Sequence, residues 1–425
     1  MNLKLRLVGM NFMQFFVWGS WLLTIGAFWF QTKQWSGTEF GAIFSTMGIA
    51  SLFMPAIAGI IADRWLNAER LYGIFHICAA AVLFFIPSAG SPNTMFWLML
   101  LNMIFYMPTI ALSITVSYSS MKAAGMNVVK EYPPVRVWGT IGFIVALWTI
   151  SLSGLETSPF QFYIASISSL LLGLYAFTLP ACKPLGRGQK RSFVNALGLN
   201  AFKLFKNPKM AMFFIFAMLL GASLQLTNAY GDTFLHDFKK IPAFADLLAV
   251  KFPAIIMSIS QISETLFILT IPFFMRRFGI KKVMLFSMVA WVLRFTLFAY
   301  GDPGNGLWML ILSCIIYGMA FDFFNISGSL FVETQSEPEI RASAQGLFMM
   351  MTNGVGAFLG SRLSGIVIDK FFTTKVTDAA GAVSDNLNWQ GIWLTFAAYS
   401  LVVALLFWVL FKHKHNPEEF KEVHH

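Results

Sequence analysis

Long apolar segments dominate this chain of 425 residues, and they restrict what it can fold into. A helix needs about 20 predominantly apolar residues to cross the hydrocarbon core of a bilayer. Only 12% of the residues are charged, against about 25% in a typical soluble protein. The sequence therefore predicts an all-α polytopic membrane protein with twelve transmembrane helices, at residues 7–30, 42–62, 71–90, 94–117, 134–153, 159–180, 210–230, 252–275, 281–301, 307–332, 343–369 and 391–411.

The basic residues of the loops predict how these segments are oriented. With the amino terminus inside the cell, the internal loops and tails hold 21 Lys and Arg residues, and the external loops hold six. An excess of this kind is typical of cytoplasmic loops. We therefore expect both termini in the cytoplasm. Topology then accounts for the net charge of +10, and no nucleic-acid partner is expected.

A long basic loop divides the twelve segments into two sets of six. Its second half is amphipathic, with Phe202 and Phe205 beside Lys203 and Lys206, which predicts a short helix on the cytoplasmic membrane surface. Matching features recur about 211 to 213 residues apart in the two sets, as in two parallel repeats. The predicted organisation is an N-terminal six-helix bundle (1–180), a basic linker (181–209), a C-terminal six-helix bundle (210–411) and a cytoplasmic tail (412–425).

The loop after the second segment resembles a signature of the major facilitator superfamily. Gly59 would permit close helix packing, Asp63 would cap or pair across a helix end, and Arg64 would hold the inward-facing side shut. The match is partial, because Asn67 stands near the place of a second basic residue. Ordinary positive-inside charge is the alternative interpretation. The resemblance implies the superfamily fold of two six-helix pseudo-repeats, with these residues in conformational gating.

An acidic residue lies inside the eighth apolar segment. A charge at that depth costs at least about 2.5 kcal/mol on insertion scales. Glu264 shares a helix face with Gln261, three residues earlier. Such a pair is either satisfied by other buried polar groups or lines a watery cavity. Both interpretations place Glu264 inside a helical bundle.

Three further segments carry polar or aromatic residues at helical spacing. Gln and Asn offer hydrogen-bond donors and acceptors to hydroxyls and base edges, and Phe and Tyr stack on planar rings. The combination predicts a site for a small neutral ligand with many hydroxyls and a flat ring. The residues are Arg136, Thr140 and Phe143 in segment five, Gln225 and Asn228 in segment seven, and Tyr317 and Phe321 in segment ten.

Each of these residues also has a structural interpretation. Gln or Asn in a membrane helix often joins neighbouring helices, and aromatic side chains often only pack. Arg136 near the cytoplasmic end of its segment would then snorkel to the surface. Asp322 would form a bridge with Arg136 or Arg294, and Arg294 and Arg362 would be structural or snorkelling.

The two membrane acids are candidates for proton coupling. A carboxyl group that gains and loses a proton within a transport pathway is the usual carrier of such coupling. Burial favours the neutral form of a carboxyl group. We expect Asp322 or Glu264 to couple proton entry to substrate movement, and sequence alone does not divide these roles.

The cysteines and histidines show no pattern of a metal site or an enzyme. Cys78, Cys182 and Cys314 form no C-x-x-C motif, so we expect no disulfide framework. None of the six histidines shares a predicted segment with an acid at metal-ligand spacing. We therefore expect no metal, no cofactor and no covalent chemistry.

Long stretches of the chain resemble the nucleoside:proton symporter family of bacteria, in particular residues 132–144, 213–229, 256–275, 317–330 and 341–355. The resemblance implies uptake of purine and pyrimidine nucleosides, driven by the proton gradient across the inner membrane, through alternating access. In the family the substrate site lies between the two halves. The positions that match it are Arg136, Thr140, Phe143, Gln225, Asn228, Gln261, Glu264, Tyr317 and Phe321.

Rival functions remain open at this point. A sugar carrier of the same superfamily is hard to exclude, because ribose is itself a sugar. A drug carrier would favour a less polar cavity, and a membrane-embedded enzyme would show a nucleophile or metal cluster. We expect a monomer in the bilayer of the bacterial inner membrane, with a nucleoside and a proton as its partners.

Overall fold

Helices make up nearly all of the described chain, which is seen in a computed structural model. The structure describes residues 2–184, 199–337, 340–377 and 383–413. Its contacts divide it into two compact units, and each is described by itself. The first unit comprises Met1–Trp35 with Thr46–Asn200, and the second comprises Ser36–Ser45 with Ala201–His425.

Six long helices supply the first unit. Helix α1 packs against α5 and α6, and α3 packs against α4 and α6. The first turns of α2 belong to the second unit. The helices are α1 (Leu3–Gly19), α2 (Gly37–Arg64), α3 (Ala68–Phe85), α4 (Pro92–Ala123), α5 (Val128–Leu152) and α6 (Phe160–Ala176), and a short helical segment, Ile25–Ala27 continued by Phe28–Lys33, follows α1.

The second unit also contains six long helical segments among its described residues. The run Pro253–Tyr300 reverses at Gly279, whose φ of 77° is readily adopted only by glycine, and this break separates α8 (253–278) from α9 (280–300). A helix that passes through a π-helical turn, Met350–Gly356, forms α11 (341–371). The others are α7 (Pro208–Asp237), α10 (Leu307–Gln335) and α12 (Trp389–Leu410), with 3-10 turns at Leu199–Lys206 and Phe238–Lys240 and a short helix at Leu248–Lys251.

The predicted all-helical membrane fold is confirmed. Each of the twelve predicted segments falls on one of α1–α12. Within the described ranges, eight helical runs are long and apolar enough to cross a membrane, and one of these runs contains both α8 and α9. The residues of the linker at 185–198 and of the tail at 414–425 lie outside the described part of the chain. The part of the predicted amphipathic helix that contains Phe202, Lys203, Phe205 and Lys206 is a 3-10 helix, Leu199–Lys206, and its place on the membrane surface stays a prediction.

Two features differ from the sequence prediction. An antiparallel hairpin of β1 (Thr373–Thr377) and β2 (Val383–Leu387) precedes α12. Helix α7 also runs beyond residue 230, because polar residues continue its hydrogen-bonded turns. This extension places Asp232 and His236 four residues apart on one helix, with Nε2 and Oδ2 3.6 Å apart. The expectation that no histidine shares a membrane helix with an acid at this spacing is therefore wrong.

Glycines allow α1 and α5 to approach at backbone distance. A Cβ atom built on Gly142 of α5 would lie 2.1 Å from the carbonyl oxygen of Phe12. A Cβ atom on Gly19 of α1 would lie 2.6 Å from the carbonyl oxygen of Phe143. Gly59 behaves differently, since an added Cβ would meet no described atom within 4 Å. The close helix packing predicted at Gly59 is therefore wrong for this structure.

We expect Gly142→Val to destabilise the protein, because its side chain would overlap backbone atoms that cannot turn aside. Overpacking of this kind typically costs about 1–3 kcal/mol. The measurement is the thermal midpoint of the purified protein in detergent. Gly59→Val is the matched control, since it adds the same side chain in open space. Equal midpoints for the two variants would contradict the packing described for α1 and α5.

Candidate functional site

The first unit presents three predicted site residues along one face of α5. Arg136, Thr140 and Phe143 follow the spacing of one helix face. The guanidinium of Arg136 lies over the ring of Phe15, 4.1 Å from its centroid. The ring of Phe143 meets Trp18 edge to face at 6.5 Å. Aromatic side chains of α1 therefore hold both ends of this α5 face, and Arg136 is stacked inside the unit.

A buried polar network in the same unit escaped the sequence analysis. Gln14 of α1 is fully buried, and its amide nitrogen donates to Thr109 Oγ1 at 2.8 Å. Its Oε1 accepts from the Tyr72 hydroxyl at 2.6 Å and lies 2.9 Å from His76 Nε2. The Tyr106 hydroxyl donates to the Gln14 backbone carbonyl at 2.7 Å. Gln14 thus has partners on α3 and α4.

The signal that would have found Gln14 is the internal repeat. Gln225 follows Gln14 by 211 residues, and Tyr317 follows Tyr106 by the same offset. Each unit therefore carries a Gln on its first helix and a Tyr on its fourth. In the first unit, Gln14 and Tyr106 form their hydrogen bonds with residues of the same unit.

Two buried glutamine oxygens of the second unit have no such partners among the described residues. Gln225 on α7 is 3% exposed, and its buried Oε1 accepts no hydrogen bond from any described residue. The same holds for the buried Oε1 of Gln261 on α8 within those residues. Buried acceptors left unpaired cost about 1–3 kcal/mol each. Asn228 lies one turn from Gln225 and is half-buried. Two buried acceptors of the second unit therefore lack a donor in the described part of the chain.

Glu264 is half-buried on α8. The exposed apolar side chains of this helix include Leu266, Leu269 and Phe273 on the side opposite Glu264, and Ile268 one turn beyond it. Gly318 of α10 brings the two helices together, because a Cβ there would lie 2.7 Å from the backbone of Ser263. The position predicted for Glu264 inside the bundle stays a prediction.

Aromatic rings from α10 lie beside this polar set. Tyr317 and Phe321 stack in parallel, with centroids 5.8 Å apart and an interplanar angle of 5°. The Tyr317 ring is buried, and Trp291 of α9 meets it edge to face at 6.0 Å. Glu264 is close enough to Tyr317 to influence it electrostatically. The α10 aromatics and the α8 acid therefore belong to one cluster.

Asp322 is the more deeply buried of the two acids. Its side chain is 5% exposed, and Oδ2 has no hydrogen-bond partner in the described ranges. The carboxylates of Glu264 and Asp322 are near enough to repel each other. Among the described side chains, no ion pair joins Asp322 to Arg294. The structural interpretation in which Asp322 forms an ion pair with Arg294 is therefore wrong.

Arg294 does not snorkel. It lies in the last turns of α9, is 0% exposed and donates to groups inside the unit. The snorkelling interpretation of Arg294 is wrong, and its structural interpretation remains. Of the gating candidates, Arg64 ends α2, and the side chain of Asp63 lies outside the described residues.

Comparisons with known proteins agree on one family. A family model described as "Nucleoside H+ symporter" matches residues 1–416. The xanthosine permease of Escherichia coli K12 is 54% identical over 422 residues, which cover 99% of each chain. The nucleoside permease NupG of the same organism is 53% identical, covering 98% of this chain and 97% of that one.

Solved structures add agreement in three dimensions. A crystal structure of the nucleoside transporter NupG superposes with a TM-score of 0.89 at 52% identity, covering 97% of this chain and 100% of that chain. A bacterial homologue of the lysosomal transporter Spinster superposes with a TM-score of 0.69 at 13% identity, covering 99% of this chain and 97% of that one. The second match shows a shared fold.

Proposed function

This chain belongs to the nucleoside H+ symporter family, and we propose that it takes up nucleosides through the polar and aromatic residues of α5, α7, α8 and α10. It is a secondary transporter of the major facilitator superfamily and no enzyme. Proton symport and alternating access are the mechanism of that family. The proposal concerns which residues bind the substrate and which carry the proton.

The unpaired oxygens of Gln225 and Gln261 carry the proposal for substrate binding. A nucleoside brings ribose hydroxyls and base N–H groups, which are the donors that these acceptors lack. Asn228 and Glu264 add further polar contacts on the same two helices. The donors come from the substrate, so its binding satisfies groups that are costly in the empty unit.

Aromatic side chains are the second element of the proposed site. The parallel rings of Tyr317 and Phe321 offer a flat surface for the base, as does the buried ring of Phe143. Arg136, held over Phe15, offers a forked donor to a carbonyl of the base, and Thr140 offers a hydroxyl one turn away. A planar base attached to a polar sugar suits both parts of this set.

Asp322 is the proposed carrier of the coupling proton. Its carboxyl group is buried and has an oxygen with no partner in the part of the chain that the structure describes. Protonation removes a buried charge and the repulsion from Glu264. We propose that Asp322 takes a proton from outside with the nucleoside, and releases it inward after the transporter has changed its access. The main role proposed for Glu264 is then substrate binding.

The names of two relatives differ in the breadth of the substrate that they give. One relative is called a xanthosine permease and the other a nucleoside permease, and their identities to this chain are 54% and 53%. We propose a substrate class that includes both purine and pyrimidine nucleosides. The parallel rings of Tyr317 and Phe321 favour a nucleoside over a sugar, because a planar base can stack on them with its whole face.

The cellular setting is also proposed. Twenty-one internal against six external basic residues support an inner-membrane position with both termini cytoplasmic. The two six-helix bundles on either side of the linker support rocking of one bundle against the other, with Gly59, Asp63 and Arg64 in the cytoplasmic gate. A monomer in the lipid bilayer suffices, because each proposed site residue is in this chain.

Uptake of radiolabelled uridine into proteoliposomes tests this function. We expect accumulation above the external concentration when the interior is alkaline, and its collapse on addition of a proton ionophore. Excess unlabelled xanthosine should compete, and excess glucose should not. Gradient-independent uptake, or competition by glucose alone, would overturn the assignment to nucleoside and proton symport.

A further inference from the structure

We propose that Arg294 is a positioning residue of the nucleoside site, which fixes the three helices that carry its polar and aromatic residues. The inference rests on the proposed function, because it concerns the same site. Arg294 lies on α9, a helix that carries none of the proposed binding residues. It would act through its contacts, without touching the substrate.

The guanidinium contacts each of the three site-bearing helices of the second unit. Nε donates to Thr227 Oγ1 on α7 at 3.4 Å. One terminal nitrogen donates to the Ser313 carbonyl on α10 at 2.6 Å, and both reach Ser260 Oγ on α8 at 3.4–3.5 Å. The Ser313 hydroxyl in turn donates to the Arg294 carbonyl at 3.0 Å. One side chain therefore joins four helices.

The contacted residues are neighbours of the proposed binding residues. Thr227 directly precedes Asn228, and Ser260 directly precedes Gln261. Successive residues on a helix point about 100° apart, since a turn holds 3.6 residues. Arg294 thus contacts one side of α7 and one side of α8, and Asn228 and Gln261 point about 100° away from those sides. Rotation of α7 or α8 would break these contacts and re-aim Asn228 or Gln261.

On α10 the contact reaches a binding residue itself. The guanidinium carbon lies 4.7 Å from the centroid of the Tyr317 ring. Tyr317 stacks on Phe321 from its own helix, and Phe298 lies 5.0 Å from the guanidinium carbon. A cation placed on an aromatic face is attracted to it, most strongly where water is absent. Arg294 therefore fixes the plane of the ring proposed to stack on the base.

The charge of Arg294 argues that this position has a purpose beyond packing. No described carboxylate lies within 4.0 Å of the guanidinium. An arginine in a membrane helix is costly, by up to about 2.5–3.5 kcal/mol at the helix centre on insertion scales, whereas leucine is favourable there. Only a planar fork with five donors can reach three helices and stack on a ring at once. Lysine keeps the charge and loses that geometry.

Uridine transport kinetics in proteoliposomes test the role. We expect Arg294→Lys and Arg294→Gln to raise KM at least tenfold, with kcat within threefold of the unsubstituted protein. Thr227→Val, which removes one acceptor and no charge, should raise KM severalfold. Thr296→Ala on the same helix is the control, because its hydroxyl donates to the Val292 carbonyl of α9 itself. The KM of this variant should not change.

A double substitution separates positioning from simple stability. Because part of the effect passes through Tyr317 and part through α7 and α8, Arg294→Lys should still raise KM in a Tyr317→Ala background, but by a smaller factor than in the unsubstituted protein. A lowered thermal midpoint and lowered kcat with unchanged KM in Arg294→Lys and Thr227→Val would overturn the inference. Failure of the unsubstituted protein to transport any nucleoside would instead overturn the proposed function, so the two failures are distinguishable.

Discussion

Replacing Asp322 with asparagine is expected to abolish accumulation of nucleoside against its gradient, while exchange of labelled for unlabelled nucleoside continues. The substitution keeps the size of the side chain and removes its ability to gain and lose a proton. The carboxyl group is 5% exposed and has a buried oxygen with no partner in the described ranges. A negative charge is costly at such a position, so protonation there is favoured by burial. An amide at this position mimics the protonated, substrate-carrying form.

Two assays on the same proteoliposomes separate the outcomes. Uptake driven by an imposed proton gradient should fall to the level seen with a proton ionophore, a loss of at least about tenfold. Counterflow, in which internal unlabelled uridine exchanges with external label, requires no net proton movement and should stay within about threefold. This pattern would identify a coupling defect, because a misfolded or non-binding protein would lose both activities.

Glu264→Gln is the matched control for the second acid. Glu264 is half-buried on α8, three residues after Gln261, and its carboxylate is near enough to repel that of Asp322. We expect this variant to raise KM for uridine and still to accumulate it when the gradient is present. If Asp322→Asn accumulates uridine and Glu264→Gln does not, the two roles must be exchanged. If both variants accumulate it, neither acid carries the proton.

The fold was predictable because membrane insertion imposes a simple length and polarity rule. Twelve apolar segments became twelve helices, and the Gly279 reversal lies between the predicted eighth and ninth segments. The end of α7 was missed for a physical reason. Residues such as Asp232 and His236 lower hydropathy without breaking a helix, so a hydropathy boundary is not a hydrogen-bond boundary. The strands at residues 373–387 form by pairing across a turn, which periodicity along one helix does not reveal.

The site was predictable in part. Helical spacing grouped Arg136 with Phe143, and Gln261 with Glu264, since each pair lies on one helix. Contacts between helices were not readable in the same way. Sequence left Arg294 as a structural or snorkelling residue, and its place among α7, α8 and α10 depends on tertiary packing. Gln14 went unnoticed because a single polar residue in a long apolar segment gives no pattern of its own.

The internal repeat supplies the second large prediction, a contrast between Gln14 and Gln225. We expect Gln225→Leu to weaken uridine binding strongly and to leave the thermal midpoint of the empty protein nearly unchanged or raised. The buried Oε1 of Gln225 has no described partner, so leucine removes an unsatisfied acceptor from the empty unit. In the complex the same change strands a substrate donor, at about 1–3 kcal/mol, or roughly a 5- to 150-fold rise in Kd.

Gln14→Leu is the matched substitution at the equivalent position of the first unit, and the opposite result is expected. Leucine there would strand the buried Tyr72 hydroxyl and one nitrogen of buried His76. It would also remove the hydrogen bond that Thr109 Oγ1 accepts, although that hydroxyl still donates to the Tyr106 carbonyl. Each stranded group costs stability, so the thermal midpoint should fall clearly. The uridine Kd of the protein that remains folded should change by less than about threefold.

Both variants are compared by uridine binding calorimetry and by thermal unfolding in the same detergent. The two glutamines are 211 residues apart and occupy matching places in the repeat, so differences in side-chain size or helix propensity cancel. A large loss of affinity in Gln225→Leu with a large loss of stability in Gln14→Leu would assign binding to one copy and folding to the other. Equal losses of stability would mean that Gln225 is satisfied within the protein, and that its oxygen is not held for a ligand.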